Sequence, residues 1–82
     1  MTRLDVEDIN PEAMICDGYD EAIIGMAERI NLGPVVAYDV EKIIEILMDR
    51  DGMSYEDAIE FFDFNIIGAW VGEFTPIFIR RY

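Results

Sequence analysis

Histidine is missing from this 82-residue chain. With it goes the commonest general base, metal ligand and neutral-pH switch. Lysine, serine and cysteine occur once each, as Lys42, Ser54 and Cys16. A lone cysteine forms no internal disulfide and suits a reducing compartment. Six Lys and Arg stand against 18 Asp and Glu, a net charge of −12. Without clusters of basic residues the chain has nothing to grip a phosphate backbone, which argues against direct nucleic-acid binding. Long apolar runs are missing too. The longest, residues 66–72, is far short of a membrane span. No basic stretch followed by an apolar one opens the chain, so no secretory signal is expected. These absences predict a cytoplasmic protein away from membranes.

What is there is apolar as well as acidic. Hydrophobic residues make up 52% of the chain, too many for an acidic disordered tail. One small domain over residues 1–82 is expected, burying roughly 60–65% of its unfolded surface. Apolar surface left over would suit a partner or a second copy. The acids fall in two blocks. Residues 5–21 hold seven and no base; residues 39–63 hold nine against Lys42 and Arg50. Arg80 and Arg81 carry the opposite sign.

Residues 1–12 read as a polar lead-in, with Asn10-Pro11 as punctuation. Ala13–Asp17 is a short apolar strand candidate, and Asp17-Gly18 a hairpin-type turn. Ala22–Arg29 is expected as a strand, with Gly25 at a bulge. Asn31-Leu32-Gly33-Pro34 predicts a break, and Val35–Tyr38 a third strand. Asp39 is a good N-cap for an amphipathic helix with Val40, Ile43, Ile44, Leu47 and Met48 on one face. Gly52 would end it. Ser54, with Asp57 three residues on, caps a second helix. Its stripe is Tyr55, Ala58, Ile59, Phe62 and Ile66, fraying near Gly68. Residues 75–81 read as a last strand with Pro76 near its start, as suits an edge. The expectation is a small α+β domain of order β-β-β-α-α-β: a four-stranded antiparallel sheet with a helical hairpin on one face.

Residues that could carry chemistry have plainer explanations. Cys16 has no histidine to activate it, and Met14 and Ile15 beside it suggest a buried structural thiol. Ser54 serves as a cap. Lys42 is flanked by Glu41, Glu45 and Ile46, the wrong setting for a nucleophile. Asp17, Asp20 and Glu21 could in principle form a hydrolytic carboxylate pair, but so short a chain has little volume for a substrate pocket. Asp49-Arg50-Asp51-Gly52 faintly resembles a calcium loop; Leu47 and Ala58 stand where its first Asp and last Glu belong. No metal or cofactor is implied, and no enzyme.

The helices carry the sharper signal. Glu41, Glu45 and Asp49 follow i, i+4, i+8; Glu56, Glu60 and Asp63 follow i, i+4, i+7. Like charges at these spacings cost a few tenths of a kcal/mol per pair, with Cβ atoms about 5–6 Å apart. That separation is comparable with phosphates along a nucleic-acid strand. Carboxylates so placed could occupy a basic groove on another protein, and the alternative is ordinary solubilising charge. Phe61 and Phe64 lie off the second helix's main stripe. Trp70, Phe74, Phe78 and Tyr82 recur every four residues through a region with Gly72 and Pro76, so helical periodicity does not explain them. Phe61, Phe64 or Trp70 could anchor a partner.

The strings AMICDGYDEAIIGMAERI, VVAYDVEKIIEILMDRDGMSYEDA and DGMSYEDAIEFFDFNIIGAWVGEFTPIFI resemble a family of short, acidic bacteriophage and prophage proteins. The likeness covers about residues 12–79, with DGMSYEDA and FNIIGAWVGE-TP its strongest words. It implies a bacterial cytoplasm but no catalytic residue. Small acidic phage proteins often inhibit host defences such as CRISPR or restriction. The expectation is a non-enzymatic inhibitor that occupies a basic surface of a host defence or nucleic-acid-handling protein by nucleic-acid mimicry. A homo-oligomeric structural or ligand-sequestering module is the alternative, although only Arg29, Arg80 and Arg81 look free to hold an anion. A small hydrolase built on Asp17–Glu21 ranks last.

Overall fold

Thr2 and Asp5 open the chain differently from the expected lead-in. In the computed structural model, which describes residues 1–70 and 72–81 and all their side chains but that of Leu32, Arg3–Ile9 is a helix, α1. The Asp5 carboxylate reaches back to accept from the Thr2 N–H at 2.9 Å and its hydroxyl at 3.2 Å. These bonds satisfy an orphan donor of the first turn and hold the Asp5 carboxyl below its ordinary pKa. Val6 is the buried residue of α1.

Ala13–Asp17 is not a strand. This segment is tied down by single bonds: Met14 N–H to the Phe74 carbonyl at 3.0 Å, and Cys16 N–H to the Tyr38 hydroxyl at 2.7 Å. Asp17-Gly18 is a turn leading into a single 3-10 turn, Asp20–Ala22, rather than a hairpin. The hairpin comes next, between β1 (Ile23–Arg29) and β2 (Leu32–Asp39), which pair antiparallel. Asn31, at φ 65, supplies the left-handed residue of its tight turn. The expected break at 31–34 is therefore a turn followed at once by strand. Pro34 is tolerated because the pairing slips between Ala27 and Arg29, where no regular ladder bond is demanded of it. The irregularity expected at Gly25 is present, between Ile23 and Gly25.

The helices follow their caps. Asp39 Oδ1 accepts from the N–H groups of Glu41 and Lys42, at 3.0 and 3.4 Å, and starts α2, Val40–Asp51. Gly52 ends it at φ 69. Ser54 Oγ accepts from the Asp57 N–H at 3.2 Å and starts α3, Tyr55–Phe61. The chain then widens into a π-helical segment, Phe62–Ile66, tightens into a 3-10 turn, Ile67–Ala69, and leaves the helical path at Trp70. The last strand, β3, is Ile77–Ile79.

The fold is α+β, in the order α-β-β-α-α-β, with three strands among the described residues where four were expected. The sheet is mixed. Strand order is β1-β2-β3, with β3 parallel to β2 rather than antiparallel. Two helices lie between β2 and β3, and a crossover of that length brings the chain back to run in the original direction. Tyr38 on β2 pairs with Phe78 on β3, their rings stacked 5.8 Å apart. Phe62 meets Phe78 edge-on at 5.4 Å. The sheet face bearing Val36 and Tyr38 thus packs on Ile43 and Leu47 of α2 and Ala58 of α3, which form one core with Phe62 and Val6. Val71 and Tyr82 lie outside the described residues.

Candidate protein-binding surface

On α2, burial of Val40, Ile43, Ile44 and Leu47 turns Glu41, Glu45 and Asp49 outward. All three are exposed, in one ridge along the helix. Two clefts flank it. On one side, Val40, Ile44 and Met48 face Ile59 and Phe62 across a trough of about 470 Å³, with Tyr55, Glu41 and Glu45 on its rim and Arg80 and Arg81 at one end. On the other side, Glu45 and Asp49 meet Asp20 and Glu21 around Lys42 and Arg50. Glu45 borders both.

The second set of carboxylates divides. Glu56 and Glu60 are exposed on α3, each one position further round the helix than the trough residues Tyr55 and Ile59. Asp63 falls in the π-helical segment and is engaged: Arg80 donates to it at 3.1 Å, with the guanidinium 5.4 Å from the Phe62 ring. Arg81 pairs with Asp39 at 3.4 Å. Both cations at the trough's end are thus already matched by carboxylates. Among the described residues, Glu41, Glu45, Asp49, Glu56 and Glu60 take part in no ion pair.

The three aromatics fare differently. Phe64 is 76% exposed. Phe61 is half-buried against the core and shares a shallow depression with Asp57, Glu60 and Phe64. Trp70 packs on the core and its indole N–H is buried with no hydrogen-bond partner among the described residues. Phe64 is thus the freest of the three. Tyr55, expected on the inner stripe, is instead 60% exposed, since α3 starts there and its first turn stands at the trough's open rim. Met48 is partly exposed opposite it. Helical spacing alone did not mark these two as surface residues. The usable signal was that Tyr55 directly follows the Ser54 cap, at a helix end.

Several other candidate groups make contacts within the fold. Asp17 and Asp20 hold Arg3, at 2.9 and 3.3 Å, and their hydrogen bonds raise the Arg3 guanidinium's already high pKa. Arg50 donates to the Gly18 carbonyl at 2.7 Å and lies 5.0 Å from the Tyr19 ring. Burial pushes the Cys16 thiol up to about 11, so it is a thiol rather than a thiolate at neutral pH. Burial likewise raises the Tyr38 phenol. Among the described residues no group of three or more Cys, Asp or Glu is arranged to hold a metal ion, and no helix is long and apolar enough to cross a membrane. Compared with models of known protein families, with curated proteins and with solved structures, the chain gives no match.

Proposed function

We propose that this chain is a non-enzymatic binding protein that occupies a basic, nucleic-acid-handling site on another protein. One observation carries the reading: Glu41, Glu45, Asp49, Glu56 and Glu60 stand exposed on two neighbouring helices with no ion pair among the described residues. Helix stability gains nothing from such rows, since like charges at these spacings repel. Their field steers a cationic partner and raises its rate of encounter. The likeness to short acidic phage proteins directs the search to bacterial cytoplasm, and to defence proteins such as CRISPR or restriction effectors.

The test is affinity capture from bacterial lysate at low and high salt, then titration of the captured protein. Binding is expected to weaken steeply with salt. Glu41→Lys/Glu45→Lys/Asp49→Lys and Glu56→Lys/Glu60→Lys are each expected to weaken it at least about tenfold. Unchanged affinity in both variants refutes the reading.

Self-association is the second reading, favoured by Ile24 on edge strand β1 and Ile77 and Ile79 on edge strand β3, all exposed. Exposed apolar edge strands invite pairing. A strict monomer by native mass at micromolar concentration removes it.

A further inference from the structure

The acidic ridges flank something the charge alone does not require. The floor of the α2–α3 trough is apolar, formed by Val40, Ile44, Met48 and Ile59 above the buried Phe62, with Tyr55 and Met48 left partly uncovered. Solubilising acids need no apolar floor between them. Nor does a nucleic-acid mimic, whose target contacts phosphates. We infer that this trough receives a basic amphipathic helix of the partner protein, its apolar side on the floor and its Lys and Arg on the carboxylates at the rim. The inference rests on the binding reading above and names the element that is bound.

Charge complementarity selects this occupant. Glu41 and Glu45 border the trough directly and are unpaired among the described residues, while Arg80 and Arg81 have carboxylate partners. A trough with this rim repels an acidic segment and leaves a neutral one without rim contacts. The trough is lined on α2 from Val40 to Met48, a wall about 12 Å long, which accommodates anchors at i, i+3 or i+4, and i+7 of a docked helix. The end of the trough at Arg80 and Arg81 lies beside the start of α2, because Arg81 pairs with its cap residue Asp39.

Two synthetic peptides of one composition and charge test this. One places Leu along one face of a three-turn Lys-rich helix; the other scrambles the order to remove the periodicity. The amphipathic peptide is expected to bind the full chain at least about tenfold tighter. Its NMR footprint is expected on the methyls of Ile44, Met48 and Ile59. Met48→Ala/Tyr55→Ala, which changes two partly exposed side chains, is expected to weaken it about tenfold while leaving the scrambled peptide unaffected. Equal, salt-sensitive binding of both peptides overturns the trough and leaves the electrostatic reading standing. A footprint elsewhere overturns it too, as does an amphipathic peptide that does not bind. The electrostatic reading falls instead on charge reversal against the captured partner.

Discussion

The backbone N–H of Cys16 donates to the Tyr38 hydroxyl at 2.7 Å, inside the core. This bond fastens a segment with no regular structure to the central strand of the sheet. Tyr38→Phe keeps the ring and its stacking on Phe78 but leaves the Cys16 N–H buried without a partner. The expected loss is about 1–3 kcal/mol, read as a lower urea midpoint with an unchanged slope.

Cys16 itself makes stability fall at high pH. Its folded pKa of about 11 lies above the ordinary value of 9.0, because burial disfavours the thiolate. The folded state therefore binds the proton more tightly than the unfolded state. Its contribution is fully present below pH 9 and is lost as pH rises towards 11. Cys16→Ala is expected to flatten the chemical-denaturation profile over that interval.

Two glycines with open space around them should respond oppositely to alanine. An added Cβ meets nothing within 4 Å at Gly25 or at Gly52. Gly52 sits at φ 69, so Gly52→Ala is expected to cost about 1–2 kcal/mol. Gly25 has no such strain, and Gly25→Ala is expected to stabilise by about 0.4–1 kcal/mol through the unfolded state. Paired denaturation curves decide both.

Phe62 and Phe64 are two residues apart and should respond very differently to alanine. Phe62 is fully buried against Phe78, and Phe62→Ala is expected to cost about 3–5 kcal/mol. That loss is large for a domain whose total is about 5–15 kcal/mol. Phe64→Ala is expected to stay within about 0.5 kcal/mol of wild type.

Glu45→Lys should move stability and binding in opposite directions. It replaces repulsion from Glu41 and Asp49 by attraction and turns the Lys42 neighbour from attraction to repulsion, a net gain of about 0.4–1 kcal/mol that raises the thermal midpoint by about 2–8 °C. The same change weakens capture of a basic partner. A scanning melt beside a binding titration reads both signs.

Local chemistry was the part of this fold legible in the sequence. Asp39, Gly52 and Ser54 mark helix ends because capping joins a side chain to backbone two or three residues away. The exposed ridge of Glu41, Glu45 and Asp49 followed from the same periodicity. Other features depend on distant partners. The short helix α1 buries mainly Val6, too little to set up a pattern. Ala13–Asp17 is held by Tyr38 and Phe74, bonds that no local sequence encodes. The direction of β3 is set by the helices between it and β2. Tyr55 shares a stripe with Ala58 and Phe62, but spacing does not tell how far along that stripe the neighbouring elements reach. The trough was hidden for the same reason: its floor reads as ordinary core.

Because β3 pairs in parallel with β2 across both helices, its pairing closes over a far longer stretch of chain than the β1–β2 hairpin or the α2–α3 pair, which slows its formation. Three residues at a sheet edge also make β3 a natural first unit to detach in local opening of the native state. Arg80 and Arg81 follow it directly, so each such opening would remove that end of the trough and lift Phe78 off Phe62 beneath it. The cleft is thus expected to be complete only while β3 is docked.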